Sequence, residues 1–345
     1  MTRSRITVVL SQSSSKHPVK RGLEESIAAA MIMEPGVDMS VVPHLYDLDA
    51  DHTGRLFLES VSGDMVVLSW LFPRAAFWLL DRDGIRGQFG ETQIKPPDLD
   101  DDEDAEEPEP PKGIGVTGDI PDRHIYCLNL NDANKHDVFV EEIRRIAVEC
   151  LQRREAKQAE AARNNPTMVQ LGLPTLAAVE SNGAPHFTPE QLLTAPGRRW
   201  YPVIDYSRCT NCLECLDFCL FGVYGVDGHE HILVENQDSC KKGCPACSRV
   251  CPEQAIMFPD FKTPAIAGAP VGAIGALKID LTKLFGGETK DALAQAVLER
   301  DTELVRDGRN AVGMSIGIPK RQPDRNEGPK DDLDKLVDDL ESLGL

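Results

Sequence analysis

The chain has 345 residues and a formal net charge of -19, long enough for about two folded units and acidic enough to argue against nucleic acid or an anionic membrane surface as its main partner. Hydrophobic residues make up 41%, but no apolar run reaches the roughly 18 to 20 residues of a membrane helix. The apolar run near the start, Ile6 to Leu10, is too short for a signal-peptide core, so it reads as the first strand of a cytoplasmic protein.

Residues 1–163 read as alternating strands and helices. "RITVVLS" is a β-branched run, "VKRGLEESIAAAMIM" a helix, "DMSVVPHLYDL" an extended stretch and "GDMVVLSWLF" a further strand ending near Pro73. "RHIYCLNL" gives the last strand, and Phe139, Ile143, Ile146, Ala147 and Cys150 then recur at helical spacing. The expected fold is α/β, an open parallel sheet with helices on its faces.

Such a sheet binds ligands at the carboxyl ends of its strands, so the loops after the first and third strands are the candidate sites. The first is "SQSSSKH", with Ser11, Ser13, Ser14 and Ser15 ahead of a helix N-terminus that suits a phosphate. The third, "SWLFPRAAFW", supplies Trp70 and Arg74. The first loop is similar to the hydroxyl-rich phosphate loop of flavodoxins, although it lacks glycine; that resemblance implies a flavodoxin-like domain with FMN between these loops. Helix capping by the serines and core packing by the tryptophan are the plainer readings, and they make FMN the unfavoured one. His17, His44, His52, His124 and His136 form no HxH or HExxH pair, and no nucleophile elbow, P-loop or GxGxxG is present.

An insert at 96–112 packs nine acidic residues between Asp98 and Glu109 and reads as a solvated loop. Residues 164–199 look like a linker, and 262–345 like a flexible C-terminal extension with a helix at about 288–306. An amphipathic tail helix is expected at about 331–343, with Leu333, Leu336, Val337, Leu340 and Leu343 on one face, and it could dock on the chain itself or on a partner.

Eight of the ten cysteines fall between Cys209 and Cys251. In a reducing cytosol, clustered thiols read as metal ligands or redox groups rather than disulfides. "CTNCLECLDFC" sets Cys209, Cys212, Cys215 and Cys219 at gaps of two, two and three; "CKKGCPACSRVCP" sets Cys240, Cys244, Cys247 and Cys251 at gaps of three, two and three. Zinc sites usually pair two CxxC knuckles, and a triple at two-residue gaps wastes a ligand on that geometry. A close-set triple can wrap three corners of a cubane but cannot also close over the fourth. Cys127 and Cys150 lie apart and read as buried packing residues.

The CxxCxxCxxxC run with a second set ending before Pro252 resembles the bacterial-type ferredoxin domain with two [4Fe-4S] clusters, over residues 200–261. The resemblance implies a ferredoxin-like βαββαβ module and crossed ligation. Cys209, Cys212, Cys215 and Cys251 would hold one cluster, and Cys240, Cys244, Cys247 and Cys219 the other. The chain departs from the pattern at Leu220, where a proline often stands, and at the extra residue Gly243 in the second motif. The implied function is single-electron relay to a redox partner protein, as a module or subunit of an oxidoreductase system. A flavin and iron-sulfur oxidoreductase acting on a small substrate, and an iron-sulfur redox sensor, are the alternatives.

Overall fold

The computed structural model describes residues 5–94, 113–115, 118–164, 187–270 and 292–317. The acidic insert, residues 165–186 of the linker, residues 271–291 and the expected tail helix lie outside the described residues.

The N-terminal part is a five-stranded parallel sheet in the order β2-β1-β3-β5-β4, built from β1 (Ile6–Ser11), β2 (Val37–Val42), β3 (Met65–Ser69), β4 (Gln88–Gly90) and β5 (His124–Asn129). Every residue of β3 is buried, as a central strand covered on both faces requires. The strand preceding the acidic insert is the three-residue edge strand β4; β5 then returns between β3 and β4. That places the last two strands in swapped positions relative to the flavodoxin order of 2-1-3-4-5. β4 is short and mostly exposed, with little apolar pattern to read.

Helices α1 (Pro18–Ile32) and α4 (His136–Asn164) cover one face of the sheet, where Ile27, Met31, Phe139, Ile143, Ile146 and Cys150 share a core with Val8, Leu10 and Tyr126. On the other face lie α2 (Thr53–Ser60) and α3 (Pro73–Arg82). Both α1 and α3 begin with proline, whose fixed φ suits the first helical turn and whose missing N–H is not needed there. The "SWLFPRAAFW" stretch is therefore a loop only as far as Phe72; Arg74 stands in the first turn of α3. Cys127 and Cys150 are buried, at 1% and 2% exposure.

After the short α5 (Pro189–Leu192), the chain forms β6 (Val203–Ile204), α6 (Glu214–Phe218), β7 (Tyr224–Val226), β8 (Ile232–Val234), α7 (Ala246–Val250) and β9 (Ile256–Met257). The element order is βαββαβ, but the strands pair as two antiparallel ribbons, β6 with β9 and β7 with β8, rather than as one four-stranded sheet. The strands are only two or three residues long because the intervening loops, not the sheet, organise this region.

The two parts share a core. Tyr201, Val203 and Met257 pack in the cluster that contains Ala75, Ala76 and Leu79 of α3. The Tyr46 and Tyr201 rings pack with centroids 4.5 Å apart, tilted by 41°, and the Tyr46 hydroxyl both donates to the Tyr201 carbonyl (2.5 Å) and accepts from the Tyr201 N–H (2.7 Å). Arg74 crosses the seam to Asp205 (2.5 Å) and to the carbonyl of Gln254 (2.6 Å).

The C-terminal extension, expected to be flexible, is packed over its described part. After α8 (Pro264–Ala267), helix α9 (Ala292–Arg306) lays Ala296 and Val297 into the core that holds Cys215, Phe218 and Cys247. Sequence reading missed this because the buried stripe is short and contains Arg300, which is 1% exposed and would ordinarily be assigned to the surface.

Candidate metal centre

The two cysteine motifs are built alike. Cys215 is the second residue of α6 and Cys219 its C-cap; Cys247 is the second residue of α7 and Cys251 its C-cap. The N–H of Cys219 donates to Cys215 O (3.1 Å), and that of Cys251 to Cys247 O (3.2 Å). Each short helix therefore carries a thiol near its start and another at its C-cap, with three residues between them.

The loops ahead of the helices are shaped by local chemistry. Asp205 Oδ1 accepts the N–H and hydroxyl of Ser207, and the Asp205 carbonyl accepts the N–H of Cys209 at 2.9 Å, which fixes the turn presenting the first thiol. Asn211 and Leu213 adopt left-handed φ of 58° and 63° between the cysteines. Such residues are uncommon in that region and turn successive N–H groups to one side, the arrangement that cradles an anion. The Asn211 side chain holds the loop to the β7–β8 hairpin through Ile232 N (2.8 Å) and Glu230 O (2.9 Å). Gly113 and Ile114, just past the acidic insert, donate to the carbonyls of Ser207 and Cys209, both at 2.8 Å.

In the second motif the extra residue Gly243 takes φ 87° with nothing within 4 Å of where a Cβ would stand, so it serves as the left-handed corner of a turn closed by Cys244 N to Lys241 O at 3.0 Å. Leu220, where proline often follows the fourth cysteine, gives its carbonyl to Arg309 at 2.9 Å.

The eight thiols gather in two recesses. One is lined by Cys209, Cys212, Cys215 and Cys251, the other by Cys219, Cys240, Cys244 and Cys247. Each thus combines three cysteines of one motif with the last cysteine of the other. The recesses enclose about 370 and 320 Å³ including their mouths, so the extra residue in the second motif has not closed its recess. Their walls are mostly apolar, with Ile204, Leu213, Ile232 and Ile256 around the first and Phe218, Phe221 and Val223 around the second.

Burial, and then repulsion from Cys251, Cys209 and Cys212, holds the Cys215 thiol well above its ordinary pKa. Burial and then Cys219 and Cys240 do the same to Cys247. Cys209 and Cys244 are each pushed up to about 11, again mainly by burial. Four such thiols become thiolates at neutral pH only when positive charge among them offsets the burial and the mutual repulsion, which is what a metal centre supplies. Hydrogen-bond donors already face the sulfurs: Ala255 N–H reaches Cys251 Sγ at 3.3 Å, and the Tyr224 hydroxyl reaches Cys247 Sγ at 3.1 Å. The donor set fits a soft, anionic iron-sulfur group. Tyr224 and Arg300, which also lines the second recess, are site residues that sequence reasoning did not single out.

The loops read as a flavin or phosphate site have a different arrangement. Ser11 Oγ donates to Pro43 O (3.1 Å) and accepts Leu45 N–H (2.9 Å), tying the end of β1 to the turn after β2. Ser13 Oγ accepts the N–H of Ser15 at 3.2 Å, and Ser14 is exposed. The Ser13 N–H, the donor a phosphate would need, is bonded to Glu24 Oε1 at 2.6 Å, and the Trp70 indole N–H meets the same oxygen at 2.8 Å. Glu24 is 2% exposed, so a phosphate here would meet a buried carboxylate of like charge.

Among known proteins, a 66-residue segment, 19% of the chain, is 48% identical to an uncharacterized ferredoxin of Methanocaldococcus jannaschii. The aligned stretch is 44% of that protein, so the chain spans less than half of the relative's length. No family model and no solved structure matches the chain. Among the described residues no helix is long and apolar enough to cross a membrane. The likeness to a ferredoxin, together with the gathered thiols, supports a ferredoxin-type iron-sulfur domain in this chain.

Proposed function

We propose that the chain is an electron-transfer protein holding two [4Fe-4S] clusters, one on Cys209, Cys212, Cys215 and Cys251 and the other on Cys240, Cys244, Cys247 and Cys219, and that it works as a module or subunit of an oxidoreductase system. The observation that carries this reading is the pair of recesses, each lined by a triple from one motif and the closing cysteine of the other. When bound, each cluster supplies one-electron redox chemistry at nearly fixed geometry.

The chain's own residues then have definable work. The eight cysteines are permanent ligands rather than nucleophiles. Ile204, Ile232 and Ile256 on one side, and Phe218 and Val223 on the other, keep water from the sulfurs. The Ala255 N–H and the Tyr224 hydroxyl stabilise negative charge on sulfur and so favour the reduced state. The α/β part would select the partner through a surface that the fold does not mark.

Anaerobic purification with iron, acid-labile sulfide, zinc and flavin analysis tests the reading, followed by EPR of the reduced protein. Two cubanes require about eight irons and eight sulfides per chain, without flavin. Zinc without sulfide overturns the proposal, and stoichiometric flavin shifts it to the flavin and iron-sulfur oxidoreductase.

A further inference from the structure

The two recesses differ in the charge on their walls. The recess of Cys209, Cys212, Cys215 and Cys251 has Glu214 and Glu253 on its wall and no basic residue among its described lining residues. The recess of Cys219, Cys240, Cys244 and Cys247 has Lys241 and Arg300 and no acidic one.

Arg300 comes from α9, outside the βαββαβ unit. It is 1% exposed, and its guanidinium carbon lies 4.7 Å from the Phe218 ring centroid. Its Nη1 and Nη2 donate to the carbonyls of Ile316 (3.0 Å) and Gly313 (2.7 Å), and its Nε donates to Asp301 (3.0 Å). Arg300 lines the recess, whereas its partner Asp301 is not among the described lining residues. Lys241 pairs with Asp307 at 2.6 Å. The other nearby acids on α9 are paired: Glu299 with Arg249 (2.9 Å) and Glu303 with Arg306. These pairs are partly buried and lie off the recess wall, whereas Arg300 is 1% exposed and on it, so its charge is screened least.

Reduction adds one negative charge to a cluster; positive charge on the wall favours that change and carboxylates oppose it. We infer that Arg300 and Lys241 make the Cys219, Cys240, Cys244 and Cys247 set the electron-accepting one, with Glu253 on the wall of the other set holding that set at lower potential. With clusters held by both sets, the first electron lost by a one-electron reductant would go to the second set, with no bond or proton moved. Helix α9 thereby sets a potential rather than merely extending the chain. The inference rests on the proposed occupancy by two clusters.

The test is a potentiometric titration of the full-length holoprotein, after its iron and sulfide have been counted, read by EPR and visible absorbance. The expected result is two one-electron steps with at least a tenfold preference between them, 59 mV for a one-electron couple. Arg300→Gln lowers the higher step toward the lower one, while Arg300→Lys largely restores it. Glu253→Gln raises the lower step toward the higher one. Should Arg300→Gln fail to fold, Lys241→Gln reads the same effect from a more exposed position. The inference is overturned if the wild-type steps coincide, or if the Arg300 and Lys241 variants move the lower step or neither. A full iron count with misordered steps overturns this inference alone; an iron count short of two clusters overturns the occupancy and this inference with it.

Discussion

Two side chains at the centre are the clearest handles on the chemistry. The Tyr224 hydroxyl, 3.1 Å from Cys247 Sγ, is held protonated by burial and by the neighbouring thiols, so it remains a donor at any working pH. A hydrogen bond of this kind contributes about 0.5–1.5 kcal/mol, and 59 mV is a tenfold change for one electron. Tyr224→Phe should therefore lower the potential of the second centre by up to about 60 mV and leave the first unmoved; a shift of the first centre by redox titration would refute the pairing. Cys219 offers the sharper test of crossed ligation, because it follows the first triple in sequence but lines the recess of the second. Cys219→Ser should halve the iron content, removing the EPR signal of the second centre while retaining that of the first. The reverse pattern assigns Cys219 to its own motif. The resemblance to ferredoxins implied the proposed crossing from the sequence, but nothing there pointed to Tyr224, which in "FGVYGVDG" looks like an ordinary strand aromatic, or to Glu24, which on a surface helix looks like an ordinary solvated acid.

At the scale of elements, the order βαββαβ was readable through the resemblance that the cysteine motifs carry, while the pairing into two ribbons was not, since strands of two or three residues carry no periodicity. The same limit explains the edge strand β4 and its place beside β5. Helix α9 had a visible pattern but no visible destination, because a buried arginine contradicts the rule by which helix faces are read. The second motif's extra residue yields a prediction at this level. Gly243 sits at φ 87° with open space around it, so Gly243→Ala meets no clash and costs only the backbone strain of a left-handed residue, about 1–2 kcal/mol. An unfolding free energy lowered by that amount, read from the denaturation curve with iron content intact, is the expected outcome. Unchanged stability would mean that the turn relaxes away from the left-handed region.

Across the whole molecule, the seam between the sheet and the cysteine module decides whether the chain behaves as two bodies or one. Tyr201, Val203 and Met257 sit in the core of the α/β part, and the buried Tyr46 hydroxyl satisfies both the N–H and the carbonyl of Tyr201. Arg74 reaches Asp205, whose carbonyl positions Cys209, so the same contacts that join the parts also brace the first thiol. A shared core predicts one cooperative transition: unfolding followed by far-UV circular dichroism, dominated by α1, α3 and α4, should coincide with loss of the visible absorbance of the metal centre. Tyr46→Phe leaves two buried backbone groups without their partner, at about 1–3 kcal/mol for each. It should therefore separate the two curves, with the metal-centre signal lost first. Two transitions in the wild-type protein would show that the module folds by itself and that the seam is only a contact. Coincident curves in the wild type that split in the variant would instead establish the α/β part as the support on which the first centre depends.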